Sequence, residues 1–166
     1  PFLFPVSGPH VVPIYEGKNG RIVREEEGRD FFVHHPSLGP KRGCYIFAMR
    51  SGGGITPTYV GKATKSFAQE CFTAHKLGKC NQTLVDYGKG TLVLFLFEPA
   101  ATKGKTPTNE IGLLENFLIQ TALSVNDELL NVKQTKQESW SIRGIIRSGA
   151  GKPSKSTALA KTMLGL

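Results

Sequence analysis

The sequence predicts an α/β (α+β) domain: a small central sheet, mixed or antiparallel, flanked by helices and preceded by an N-terminal β-hairpin extension. Three observations predict it. Cys44 to Met49 and Thr58 to Val60 are extended, β-prone runs separated by the glycine-rich turn Ser51 to Pro57. Thr91 to Phe97 is a continuous apolar run of strand length, which fits a central strand buried on both faces. Ser66 to Lys76 and Thr106 to Ser124 carry the spacing and end signals of helices.

The elements follow in chain order. Val11 to Tyr15 and Arg21 to Arg24 flank Gly17-Lys18-Asn19-Gly20, and Asn-Gly between extended runs is a strong hairpin signal because both residues tolerate positive φ. Glu25 to Asp30 reads as a charged break, followed by a short extended run, Phe31 to Pro36. There the adjacent His34 and His35 would point to opposite faces and could not easily chelate one ion, so they are assigned a structural or surface role. A Pro/Gly loop runs to Arg42, and the two extended runs around Ser51 to Pro57 then pair as a hairpin. Ser66 can cap the next helix, on which Phe67, Cys71 and Ala74 share a face. Thr102 to Thr106 is a polar loop, and Thr106-Pro107 supplies a capping hydroxyl and a first-turn proline to a helix running to about Ser124. Ser141 to Arg147 alternates weakly like a strand, Ser148 to Ser156 reads as a linker, and Thr157 to Leu164 as a short basic amphipathic helix. The expected organisation is one domain over residues 1–147, with its core at 43–131, and a basic linker and tail over 148–166.

The chain has 166 residues, enough for one compact domain, and 39% hydrophobic content with ten phenylalanines supports a core. The formal net charge is +8, and from Val132 to Leu166 seven Lys or Arg face a single acid, Glu138. Lys133, Lys136, Arg143, Arg147, Lys152 and Lys155 in this segment are candidate contacts to a nucleic-acid backbone. A merely solvated tail is the other reading of that charge. Cys44, Cys71 and Cys80 are odd in number and lack C-x-x-C spacing, which gives no disulfide framework or zinc site. No apolar run approaches membrane-span length, and the start lacks the charged leader of a secretion signal. An intracellular protein with reduced thiols is the expectation.

Chemistry enters with Gly43-Cys44-Tyr45-Ile46 and Tyr59-Val60-Gly61, which a hairpin would place on neighbouring strands. His75 follows on the next helix, Glu115 stands within the apolar run Ile111 to Ile119, and Asn131 closes Glu128 to Asn131. In this order the set resembles the GIY-YIG nuclease superfamily over about Gly43 to Asn131. The resemblance implies a catalytic module in which the tyrosines, a helix bearing arginine and histidine, a metal-binding glutamate and a late asparagine form one site. By that resemblance Tyr45, Tyr59, His75 and Asn131 are catalytic, Glu115 holds Mg²⁺ (or Mn²⁺), and the partner is nucleic acid, DNA being the expected one.

The sequence departs from the family where its arginine should stand, one helical turn before His75: the nearest residues are Gln69 and Glu70. That arginine's task is to grip a phosphate oxygen with a permanently charged fork, and a carboxylate would repel it. Lys62, directly after Tyr59-Val60-Gly61, is the best replacement cation, with Lys65, Lys76 and Arg50 as weaker ones. Glu115 among apolar neighbours requires a partner, either a hard cation or a lysine or backbone group. His75 is otherwise an ordinary surface histidine and the tyrosines ordinary sheet residues, while Asn131 offers an amide that can tie the end of its segment to the site or touch a phosphate oxygen, or is a turn asparagine. Three functions result: metal-dependent phosphodiester hydrolysis, a non-catalytic nucleic-acid-binding module on the same fold, or a protein-interaction domain with a solubilising tail.

Overall fold

The computed structural model describes residues 3–100, 107–133, 135–136, 142, 145 and 154–166. Its elements are β1 (Val6–Val11), β2 (Tyr15–Gly17), β3 (Gly20–Ile22), α1 (Glu25–His34), β4 (Gly43–Ser51), β5 (Gly54–Ala63), α2 (Phe67–Glu70), α3 (Ala74–Tyr87), β6 (Thr91–Phe97), α4 (Thr108–Leu123) and α5 (Lys155–Leu164). The main sheet has the order β1-β6-β4-β5, and its pairings are all antiparallel. The mixed alternative is thereby removed, and the α+β class with a small helix-flanked sheet stands.

β4 and β5 form the expected hairpin, with Tyr45 opposite Gly61 and Phe47 opposite Tyr59. β6 lies inside the sheet between β1 and β4, as its unbroken apolar run requires. The two-residue side-chain period then sorts the core. Tyr45, Phe47, Met49, Tyr59 and Ala63 face a cluster with Phe31, Phe67, Cys71, Leu77, Cys80 and Leu84, while Cys44 and Val60 face Ile111, Leu118, Ile119 and Ala122 of α4. The sheet is therefore a middle layer, with α1, α2 and α3 on one face and α4 on the other.

Several expectations are corrected. The hairpin expected from Val11 to Tyr15 and Arg21 to Arg24 is shorter, Tyr15–Gly17 against Gly20–Ile22, and the segment before it, Val6–Val11, is an outer strand of the main sheet. Arg21 of that hairpin donates to the carbonyls of Gly90 at 2.6 Å and Gly88 at 3.0 Å, and Asn81 bonds both backbone groups of Val23. These contacts tie the hairpin to the α3–β6 turn.

The charged break and the Phe31 to Pro36 extended run are in fact one helix, α1. Three glutamates occupy its first turn, where the helix dipole favours anions. Arg24 donates from its backbone N–H to Glu27 Oε2 at 2.9 Å and from its guanidinium to Oε1 at 2.7 Å. Gly28 is required because a Cβ there would lie 2.7 Å from Phe72. Aromatic β-propensity gave way to these end charges and to the tertiary seat of Gly28. His34 and His35 still diverge, though on a helix end: His34 bonds the Asp30 carbonyl at 2.9 Å, and the His35 ring meets His10 at a tilt, 4.7 Å between centroids.

The helix expected at Ser66 to Lys76 is two helices. Ser66 does cap α2, accepting from Gln69 N–H at 3.2 Å, but α2 ends at Glu70 and α3 begins at Ala74. Pro107 precedes α4 as its cap residue rather than sitting in its first turn, and the helix ends at Leu123. Thr106, Arg143, Arg147 and Lys152, with most of the expected 141–147 strand and 148–156 linker, lie outside the described residues. The terminal helix extends the Thr157 to Leu164 expectation by two residues and is capped by Ser154. All three cysteines are free and buried.

The Arg24 guanidinium bonded to Glu27 holds its carboxyl well below the usual range, down to about 2 from 4.5. A depressed carboxylate stabilises the fold fully above its unfolded pKa and loses that contribution as pH falls toward its folded one. Glu27→Gln should therefore lower the melting temperature at neutral pH. The gap from wild type should shrink as pH falls from about 4.5 to about 2, followed by circular dichroism melts across that window.

Candidate nucleic-acid interface

The site residues converge at the edge of the sheet. β5 is an outer strand, and its free side faces the gap between α3 and α4. A cleft of about 600 Å³ opens there, lined among others by Tyr59, Lys62, His75, Lys76, Glu115 and Asn131. Lys79 of α3 and Lys133 complete its basic rim. Tyr59 and Lys62 can share this cleft although they lie on opposite faces of β5, because the cleft wraps around the strand's edge.

The edge itself is closed by the segment after α4. Val60 N–H donates to Asn131 Oδ1 at 2.9 Å, and Asn131 Nδ2 donates to the Val60 carbonyl at 2.8 Å. Leu130 N–H donates to the Thr58 carbonyl at 2.9 Å, and Asn126 Nδ2 to the Pro57 carbonyl at 2.8 Å. Asn131 thus acts as a one-residue strand, satisfying both backbone groups of Val60. Its amide makes both of these bonds, which tie the end of its segment to the site, the first of the roles its sequence setting allows.

Tyr45 does not reach the cleft surface. It is fully buried, and its hydroxyl is buried without a hydrogen-bond partner among the described residues. Its ring leans over Gly61, where a Cβ would lie 2.5 Å from the ring's Cζ and hydroxyl. Burial pushes the phenol well above its ordinary range, which makes it a poor base. The glycine of the second motif is thus there to admit the tyrosine of the first. The Tyr45 ring stands 6.5 Å from that of Tyr59, behind it.

Tyr59 is the tyrosine that fronts the cleft. Lys76 Nζ donates to its hydroxyl at 2.6 Å and lies 4.9 Å from its ring centroid. A phenol oxygen that accepts this bond directs its own proton elsewhere. His75, one residue earlier, is exposed and meets the Tyr59 ring edge-on at 6.5 Å. Lys76, ranked behind Lys62 from sequence, is therefore the cation beside the tyrosine. The separation of α2 from α3 starts a new helix at Ala74 and brings Lys76 into its first turn.

Lys62 has a different partner: its Nζ stands 2.9 Å from Glu115 Oε2. The Glu115 side chain is 14% exposed, so its charge is balanced by a lysine, one of the two partners its sequence setting demands. Glu70, at the family's arginine position, accepts from Lys65 N–H at 2.5 Å and from the Thr64 hydroxyl at 3.4 Å. It fastens the β5–α2 loop. Lys65 is exposed, and Arg50 sits near the far end of β4, opposite Ile55. Lys133 lines the cleft, whereas Lys136 and Lys155 are exposed outside it.

The donor set does not fit a resident Mg²⁺ or Mn²⁺. Such ions want several oxygen ligands, and the cleft supplies one carboxylate, already paired with Lys62, among lysines that repel a dication. Among the described residues no group of three or more His, Cys, Asp or Glu is placed to hold a metal. The arrangement instead suits an anion: Lys62, Lys76, Lys79 and Lys133 surround Glu115 alone. Comparison of the chain with protein-family models, curated proteins and solved structures finds no match.

Two variants test the hairpin geometry. Tyr45→Phe removes a buried, unpartnered hydroxyl and should leave stability unchanged or raise it. Gly61→Ala should cost about 1–3 kcal/mol by overpacking against Tyr45. Urea unfolding of both, read at equal slope, checks the pair. Separately, Asn131→Ala orphans two backbone groups of Val60 and should cost about 1–3 kcal/mol, with faster hydrogen exchange at the Val60 amide as its local signature.

Proposed function

We propose that this chain is a nucleic-acid-binding domain that holds a phosphodiester backbone in the cleft between α3 and α4. The observation that carries the reading is the cleft's charge: four lysines and His75 gathered around one carboxylate that is itself paired. Lys76 and the Tyr59 hydroxyl, 2.6 Å apart, present an ammonium and a second donor to one phosphate group. The basic C-terminal segment adds charge that is indifferent to sequence. The reading agrees with a GIY-YIG-like domain that has exchanged its phosphate-gripping arginine for a lysine from the next helix. An ammonium is a point charge rather than a fork, so it suits attraction better than bidentate alignment. DNA is the partner proposed.

If the backbone lies here, removing one lysine contact should weaken binding and reduce the slope of log affinity against log salt by about one. Lys76→Met and Lys79→Met are expected to do so on any sequence, measured by fluorescence anisotropy across a salt series. Unchanged affinity and slope in both would overturn the reading.

One observation favours a second reading, hydrolysis in the same cleft. Tyr59 and Lys76 place a proton-carrying hydroxyl beside a cation that could offset the charge of a phosphodiester transition state. Loss of one such electrostatic contact costs about 10²–10³ in rate, so this reading expects slow plasmid nicking that drops by that factor in Lys76→Met and vanishes in Tyr59→Phe. Tyr45→Phe should nick like wild type, because its hydroxyl is sealed in the core. Incubation with Mg²⁺ and with Mn²⁺ that yields no nicking above a no-protein control would leave binding alone.

A further inference from the structure

We propose that the domain selects single-stranded nucleic acid, stacking unpaired bases on an exposed apolar ridge of α4 formed by Leu113 and Phe117. The inference rests on the backbone-binding reading above and names the form of its ligand.

The ridge is anomalous for a helix that covers a sheet. α4 gives Ile111, Leu118, Ile119, Ala122 and Leu123 to the core, which completes its buried stripe. Leu113 and Phe117 lie on its opposite side, one turn apart, and are 68% and 65% exposed. A single exposed leucine is ordinary, but an exposed phenylalanine one turn along the same side puts two large apolar side chains in solvent together.

The ridge adjoins the lysines. A second hollow, of about 440 Å³, is lined by Lys62, Thr108, Asn109, Gly112, Leu113 and Asn116. Lys62 lines this hollow and the basic cleft alike, so the two meet at its side chain, and a phosphate held by the other lysines of the cleft stands next to the hollow. A Cβ at Gly112 would meet nothing within 4 Å, which leaves the hollow open along the helix. From that phosphate, a strand can lay its sugar and base over Leu113 toward Phe117. Asn109 and Asn116 offer amide donors and acceptors to a base edge without imposing a sequence. Every base has a π-face to stack, but only an unpaired one can turn it to a protein side chain. A duplex keeps those faces inside its own stack and presents phosphates and groove edges. Two copies of the chain meeting across this ridge would bring their lysine-lined clefts toward each other, like charge toward like charge, whereas a polyanion neutralises them.

The test is fluorescence anisotropy with three probes of equal length: a single-stranded oligothymidine, a duplex, and an abasic single strand with the same phosphates. Wild type should bind oligothymidine tighter than the other two. Phe117→Ala should weaken oligothymidine binding by about tenfold with an unchanged salt slope, and leave abasic-strand binding as in wild type. Leu113→Ala should act in the same direction. If Phe117→Ala matches wild type on oligothymidine while Lys76→Met and Lys79→Met lose affinity, the stacking proposal falls and backbone binding stands. If the lysine variants lose nothing, the backbone reading falls with it. A wild-type dimer in light scattering that Phe117→Ala dissociates, with no change in oligothymidine affinity, would assign the ridge to self-association and overturn the proposal.

Discussion

The outer strand β5 carries backbone donors and acceptors that no neighbouring strand satisfies, and an exposed strand edge is a liability that a fold must cover. Here the covering is done by side-chain amides and a short stretch of extended chain. Asn126, Leu130 and Asn131 bond Pro57, Thr58 and Val60 in turn. Those bonds pin the chain leaving α4 against the strand and thereby place Lys133 and Val132 at the cleft. Had β5 been followed by another strand, its edge would be buried and no cleft could open beside it. The site exists because the sheet stops there.

The same edge decides which tyrosine is available. Tyr45 sits one strand inward and is sealed by the close approach that Gly61 permits. Tyr59 lies on the edge strand, and its hydroxyl meets Lys76. Two residues of one type on adjacent strands, both packed in the core cluster, differ at their hydroxyls: that of Tyr45 is sealed, and that of Tyr59 meets a cation at the edge. The acidic residues divide in a comparable way. Glu70 is committed to loop backbone and Glu115 to Lys62, so neither leaves an unbalanced negative charge facing the lysines. The field of the cleft is then set by Lys76, Lys79 and Lys133, which favours phosphate over a divalent cation.

Much of the fold is legible from local pattern. The unbroken apolar run at Thr91–Phe97 requires burial on both faces, and β6 has it. The glycine-rich turn requires β4 and β5 to pair, and they do. α1 was not legible as a helix because Phe31-Phe32-Val33 has strand propensity. What outweighs it is the trio of glutamates, the Arg24–Glu27 bonds and the seat of Gly28 against Phe72, a partner far along the chain. β1 is not legible either: the extended run expected at Val11 to Tyr15 is displaced, with strands at Val6–Val11 and Tyr15–Gly17, and nothing local in Val6–Val11 says that it pairs with β6.

The sequence by itself determined the residue types at the site and the bulk of its charge: the tyrosines, the histidine, the buried glutamate in need of a partner, and the basic C-terminal segment. Those follow from chemistry and spacing along the chain. Tertiary structure alone decided the pairings. It gave Glu115 to Lys62, Tyr59 to Lys76 and Asn131 to Val60, and it hid Tyr45. A hydrogen bond or ion pair depends on ångström separations between groups that are 17 to 71 positions apart, from Lys76 and Tyr59 at 17 to Asn131 and Val60 at 71. Those separations are fixed only when helix, strand and edge have packed.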